Sequence, residues 1–181
     1  MEPPRDLRRF VRDMPDFPKK GVVFKDITPL LADSSAFREA IRRMSERVEP
    51  PDAVVAIESR GFLFGTGLAL AWGVPLVPAR KFGKLPGRTV REVYSLEYGE
   101  DTLEIQADAL RPGQRVVIVD DLLATGGTAE ATARLVEQLR ARVGALLFLI
   151  ELKGLGGRER LASYPVDALL EFEVSEPPPG P

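Results

Sequence analysis

Three segments of this chain are apolar at almost every position: "DAVVAIE" (Asp52–Glu58), "RVVIVDD" ending at Asp121, and "ALLFLIE" (Ala145–Glu151). A strand with one wet face alternates polar and apolar residues, so a strand that is apolar throughout needs cover on both faces. The intervening segments can supply that cover. "FLFGTGLALAWG" reads as a largely apolar helix closed by Gly73. "TAEATARLVEQLRARVG" sets Thr132, Leu135, Val136, Leu139 and Val143 on one helical face. Phe37, Ile41, Met44 and Val48 mark an earlier amphipathic helix with Ser34 or Ser35 as its N-cap. "VPLVPAR" (Val74–Arg80) adds a further short strand. Strand and helix alternate, which predicts an α/β fold with a parallel sheet covered on both faces. With 181 residues the chain suits one domain.

In such a sheet, ligands bind beyond the C-terminal strand ends. There the sequence carries "VVIVDDLLATGGT" (Val116–Thr128), an apolar run stopped by Asp120 and Asp121 and followed by a glycine turn. A bare Asp-Asp pair is more often simply a polar loop. Here, however, Gly126 and Gly127 let the backbone approach a ligand, and Thr125 and Thr128 offer hydroxyls. The helix that follows presents free N–H groups and its positive dipole end, which suits phosphate. Carboxylates beside a phosphate cradle point to a sugar phosphate whose vicinal hydroxyls donate to the aspartates. No G-x-x-x-x-G-K-[ST] or strand-borne G-x-G-x-x-G motif competes for that role.

The chain has no Cys and no His. Thiolate nucleophiles, Cys-ligated metals, Ser-His-Asp triads and histidine acid–base chemistry are therefore excluded, and proton transfer falls to Asp, Glu, Tyr, Lys, water or substrate. A metal would be a hard, oxygen-ligated cation, with magnesium the expected one. The net charge of −2 provides no field for nucleic acid or an anionic membrane. No apolar run approaches the roughly 20 residues of a membrane span, and no signal peptide is visible. The expectation is a cytoplasmic protein without nucleic-acid or membrane partners.

"VVIVDDLLATGGT" resembles the 5-phosphoribosyl 1-pyrophosphate (PRPP) signature of the type I phosphoribosyltransferases. "DFPKKGVVFKDITPLL", "ESRGFLFG", "RKFGKLPG" and "YSLEYGEDTLEIQADAL" occur in the order in which similar segments occur in the adenine phosphoribosyltransferases. The resemblance implies a five-stranded, mainly parallel sheet in a single domain over 1–173. It also implies a small N-terminal hood at roughly 1–32, a mobile lid at roughly 80–105, and a disordered tail at 174–181. The implied reaction moves the phosphoribosyl group of PRPP to adenine, giving AMP and pyrophosphate, with Mg²⁺ held mainly through PRPP and no dedicated protein ligand. The implied assembly is a homodimer.

By the same resemblance Ala124, Thr125, Gly126, Gly127 and Thr128 hold the 5′-phosphate, and Asp120 and Asp121 hold the ribose hydroxyls. Ser59, Arg60, Gly61, Lys81 and Lys84 face the pyrophosphate, with Arg88 and Arg91 as further lid cations. Phe24 stacks on the base, the Val23 and Lys25 backbones read its edge, and Leu155 closes its other face. Glu97 manages the purine proton, flanked by Tyr94 and Tyr98. Phe82 stands where the family often has proline, and Gln106 where some members have histidine. Taken without the resemblance, Phe24 serves equally as core, Leu155 as loop packing, Arg60 and the lysines as solvated surface, and Glu97 as a hairpin-surface carboxylate. Two rival functions are disfavoured: a transferase for hypoxanthine, guanine or xanthine, because the N-terminal and lid motifs match the adenine enzymes, and a non-catalytic regulator that senses PRPP, because neither a basic extension nor a lesion in "YSLEYG" is visible.

Overall fold

A computed structural model of the protein describes residues 5–96 and 99–174. Glu97, Tyr98 and the tail from residue 175 lie outside the described residues. After a short 3-10 turn the elements run β1 (Arg12–Pro15), β2 (Val23–Asp26), α1 (Thr28–Ala32), α2 (Ser34–Ser45), β3 (Ala53–Ile57), α3 (Gly61–Trp72) and β4 (Leu76–Lys81). They continue as β5 (Thr89–Leu96), β6 (Gly99–Gln106), β7 (Arg115–Leu123), α4 (Gly127–Gln138), β8 (Arg142–Lys153), α5 (Gly157–Arg160) and β9 (Val166–Glu173). β1 and β2 form a small antiparallel pair, and the main sheet is ordered β5-β6-β4-β3-β7-β8-β9.

The five strands β4, β3, β7, β8 and β9 are parallel, as the sequence leads one to expect. The sheet nevertheless has seven strands rather than five. The charged stretch after β4 folds back as the β5–β6 hairpin, and β6 joins β4 antiparallel through Arg80↔Glu104 and Lys81↔Leu103. The Gly- and Pro-rich punctuation of that stretch hid its strands.

The unbroken apolar runs have the expected cause. Successive strand residues point to opposite faces, and both faces are covered. Val55, Ile57, Val116, Ile118, Leu146 and Phe148 pack with Leu135 and Val136 of α4. Val54, Val117, Val119, Leu147 and Leu149 pack with Met44 of α2 and with Phe64 and Leu68 of α3. Each fully buried Leu, Ile or Phe side chain of this kind contributes about 1.5–3 kcal/mol.

Two helix boundaries differ from the sequence expectation. Asp33, not Ser34 or Ser35, caps α2: its Oδ1 accepts from the N–H groups of Ser35 at 3.0 Å and Ala36 at 2.9 Å. α4 ends at Gln138, so Val143 belongs to β8 rather than to the helical face. The stop is a Schellman closure, with Arg140 N–H donating to Glu137 O at 2.8 Å and Ala141 N–H to Val136 O at 3.2 Å. Arg140 takes the left-handed conformation (φ 60°) where glycine is usual, which leaves no stop signal in the sequence before Gly144.

Candidate active site

The C-terminal ends of β3 and β7 converge with the hairpin and the head of α4 around a cavity of about 400 Å³. Ser59, Arg60, Lys81, Asp120, Asp121 and Thr128 line it, joined by Glu58, Tyr94, Asp101, Leu103 and Leu122. A second cavity of about 90 Å³ is walled by residues 122–129, Asp120 and Phe148. Asp120, Leu122 and Thr128 border both.

The aspartates are held unequally. Asp121 is buried and its Oδ2 lies 2.9 Å from Arg60 Nε. Asp120 Oδ1 accepts the Asp121 N–H at 2.8 Å. Burial, and then repulsion from Asp121, push the Asp120 carboxyl well above the usual aspartate range. Burial also raises Asp121, against the pull of Arg60. The pair therefore resists carrying two charges, as adjacent carboxylates in a poorly solvated site must.

Gly61 is required where it stands by a close approach of the chain itself. A Cβ there would sit 2.8 Å from Val119 O and 2.9 Å from Asp120 Oδ1, so it is β7 that comes close. In the 124–128 loop Gly126 has φ 79°, and α4 starts at Gly127 without a side-chain cap. A Cβ at Gly126 would meet Gly157 O at 2.9 Å, and one at Gly157 would overlap the Ala124 carbonyl. The 124–128 loop and the start of α5 are thus in backbone-to-backbone contact. Arg158 fixes that start, donating from Nε to Glu151 Oε1 at 3.0 Å and from Nη1 to Val166 O at 2.8 Å.

Phe24 reaches this region through Arg60, whose guanidinium carbon lies 4.8 Å from the centre of its ring. Phe17 meets Phe24 edge-on at 5.2 Å. The Lys25 side chain turns away, buried against Asp13 Oδ1 at 2.6 Å and over the Phe172 ring at 4.6 Å. Val23, Lys25, Leu155 and Lys84 are not among the residues lining the two cavities. Lys84 is fixed by its backbone: its N–H donates to Glu104 Oε1 at 3.2 Å and its carbonyl accepts from Arg80 at 3.1 Å. Glu97, the expected proton manager, lies outside the described residues.

Sequence reasoning overlooked Asp101, Glu58 and Gly157. Asp101 sits in a charge-rich hairpin, where nothing distinguishes one carboxylate from the next. Glu58 is committed to Arg80, 2.9 Å from Nε, and to the Lys81 N–H at 3.1 Å. Gly157 follows Gly156, and only the tertiary contact tells the two apart.

Residues 28–168 match the phosphoribosyl transferase domain family. The chain is 55% identical over 169 residues to an adenine phosphoribosyltransferase of Desulfitobacterium hafniense, covering 92% of this chain and 98% of the relative. It is 56% identical over 169 residues to that of Thermotoga neapolitana, covering 92% and 99%. The crystal structure of the Thermoanaerobacter pseudethanolicus enzyme superposes with a TM-score of 0.89 at 50% identity, covering 92% of this chain and 98% of that one. The Saccharomyces cerevisiae enzyme, solved with an imino-altritol bisphosphate and adenine, gives a TM-score of 0.86 at 44% identity, covering 91% and 97%. Two cavities that share Asp120, Leu122 and Thr128, a glycine loop opening a helix, and likeness over nine-tenths of the chain lead to one assignment: the chain belongs to the phosphoribosyl transferase domain family and, within it, to the adenine phosphoribosyltransferases.

Proposed function

We propose that the chain transfers the 5-phosphoribosyl group of PRPP to adenine, giving AMP and pyrophosphate in purine salvage. The observation that carries this reading is the junction of the two cavities at Asp120. The small cavity, walled by Ala124–Thr128, suits the 5′-phosphate, and the larger one, with Ser59, Arg60 and Lys81, suits the pyrophosphate. The ribose then spans the aspartates between them. Asp120 and Asp121 accept from its hydroxyls and fix C1 relative to the leaving group, an orienting role rather than an acid–base one. Arg60 and Lys81 stabilise the charge that develops on pyrophosphate as its bond to C1 loosens. Phe24, with the Val23 and Lys25 backbones, forms the base side, and Leu155 closes it.

Magnesium belongs to the same proposal. Four carboxylates but only two cationic side chains line the larger cavity: Glu58, Asp101, Asp120 and Asp121 against Arg60 and Lys81. A polyanion entering such a wall needs added positive charge, and all-oxygen donors suit a hard cation. Bound through PRPP oxygens, with Asp120 or Asp121 near at hand, magnesium would neutralise charge on the diphosphate.

The dimer reading draws support from α3. It is apolar on its outer side as well as its inner one, leaving Leu63 and Leu70 exposed. A helix apolar all round is ordinarily covered on every side, and a second copy of the chain would cover it. Cytoplasmic location is part of the same reading; among the described residues no helix is long and apolar enough to cross a membrane.

PRPP and Mg²⁺ incubated in parallel with adenine, hypoxanthine and guanine test the reaction. Pyrophosphate release is expected with adenine far above the other two. Release with none of them would sink the transferase reading in favour of a PRPP sensor. Glu97 is proposed to take the purine proton, so Glu97→Gln is expected to lower kcat by about 10²-fold while leaving the KM for PRPP close to the parent value. Unchanged kcat would return Glu97 to the surface.

A further inference from the structure

A chain of polar side chains runs along one wall of the larger cavity: Lys81 on β4, Asp101 on β6, Tyr94 on β5 and Thr128 at the head of α4. Lys81 Nζ lies 3.0 Å from Asp101 Oδ2, and the Tyr94 hydroxyl donates to the same oxygen at 3.4 Å. Tyr94 also meets the Thr128 side chain. Sheet register builds this arrangement. Tyr94 and Asp101 are direct cross-strand partners, and Asp101 stands two residues from Leu103, the partner of Lys81. Partners in register share a face, so the hairpin cannot form without setting this carboxylate against that ammonium.

Asp101 is charged under ordinary conditions. Burial favours its neutral form, but the Lys81 ammonium and the Thr102 N–H more than offset this and hold it below the usual range. Lys81 in turn is raised by Asp101. The Lys81 side chain remains largely open to the cavity, so the same ammonium is available to an anion there. It has one position and two claimants.

We propose that Asp101 is a positioning residue that holds the Lys81 ammonium on the cavity wall and, by competing for it, limits how tightly pyrophosphate is retained. The inference rests on the reading of this cavity as the PRPP site. Two opposing effects follow from the charge. A fixed ammonium is better placed for the leaving group, which favours catalysis. A carboxylate beside a polyanion opposes its binding, which favours release of product. Removing the charge therefore has an unusual sign: binding of the anion should tighten.

Asp101→Asn keeps the size of the side chain and one of its two acceptor oxygens, enough for the Thr102 N–H, while removing the charge and the second acceptor. The inhibition constant for pyrophosphate and the KM for PRPP are each expected to fall about five- to tenfold at low salt. The difference should shrink near about 0.5 M salt as the open side of the site is screened. A fall in kcat is expected as release slows, with the KM for adenine little changed. Asp101→Glu, which restores the charge, should return the constants toward the parent values. Should Asp101→Asn lose its far-UV CD spectrum, Asp101→Ser carries the same test. An inhibition constant that rises or stays level in the folded variant overturns the proposal, because a purely structural or metal-ligating Asp101 would loosen the anion. If the parent chain releases no pyrophosphate from PRPP with adenine, the reading of the site falls and the inference with it. Parent turnover with unaltered variant constants overturns the inference alone.

Discussion

Asp120→Asn is expected to make the protein more stable and nearly inactive. Asp120 shares a poorly solvated corner with Asp121, and burial together with that neighbour holds its carboxyl well above the ordinary range. In the native state at neutral pH this ionisation is therefore a cost that the unfolded chain does not carry. Asparagine keeps the oxygen that accepts the Asp121 N–H at 2.8 Å and removes the charge. A gain of about 1 kcal/mol would appear as a rise in Tm of about 2–4 °C for a chain of this size. The pH dependence fixes the sign. A carboxyl raised in the folded state binds more protons there than in the unfolded state, so its contribution falls as pH climbs from about 4 through the raised range. The advantage of Asp120→Asn should accordingly vanish below about pH 4 and grow as pH rises through the raised range.

Activity should move the other way. Without the carboxylate that borders both cavities, the ribose loses a charged acceptor, and kcat/KM for PRPP is expected to drop about 10²–10³-fold. Thermal melts from pH 4 to 8 and PRPP-dependent kinetics on one preparation provide both readings. A lower Tm at pH 7 would mean that Asp120 is well satisfied as an anion. Near-normal kcat/KM with an unchanged far-UV CD spectrum would remove it from the site. Functional sites commonly carry strain of this sort, with stability given up for charge held where the ligand needs it.

Gly157→Ala is expected to damage fold and function together, although residue 157 touches neither proposed substrate group. The added methyl group would overlap the Ala124 carbonyl and press on Leu123 Cδ1. Neither side can yield easily. Leu123 is buried at the end of β7, and Arg158, the next residue, is tied to Glu151 and Val166. Overpacking of this kind costs about 1–3 kcal/mol. The displaced element would be the 124–128 loop, and a shift near 1 Å in a positioning element costs about 10²-fold in rate. The KM for PRPP should rise more than that for adenine. Gly156→Ala serves as the comparison: its Cβ would meet nothing within 4 Å, so only the strain of φ 74° applies and loss of activity should be much smaller. Equal losses from the two variants would show that the loop contact does not matter.

Much of the site was legible because it is written locally. The stretch from Val116 to Thr128 combines strand, paired acid, glycine turn and helix start within one continuous segment, and the structure puts those residues together as the local chemistry requires. The parallel core was legible for a similar reason, since strands buried on both faces leave the sequence no polar alternation. Features that depend on distant partners were not. The β5–β6 hairpin reads as charged and irregular because its outward residues face solvent or pair with α4, as Glu92 does with Arg134 at 3.2 Å. β9 escaped notice because its polar residues Asp167, Glu171 and Glu173 interrupt an edge strand. Arg140 ended a helix that the periodicity would have carried on.

By itself the sequence determined the chemistry open to this protein: no thiolate, no imidazole, a glycine turn beside two aspartates, and a covered parallel sheet. Those features depend on residue type and near-neighbour spacing, which the chain fixes before it folds. Tertiary structure alone decided which charges oppose one another. It set Asp101 against Lys81, tied Arg60 to both Phe24 and Asp121, paired the Lys25 side chain with Asp13, and made Gly157 rather than Gly156 the contact for the 124–128 loop. Each of these is a pairing between segments far apart in sequence, fixed by sheet register and backbone approach, and electrostatic interactions depend steeply on the distances that only folding sets.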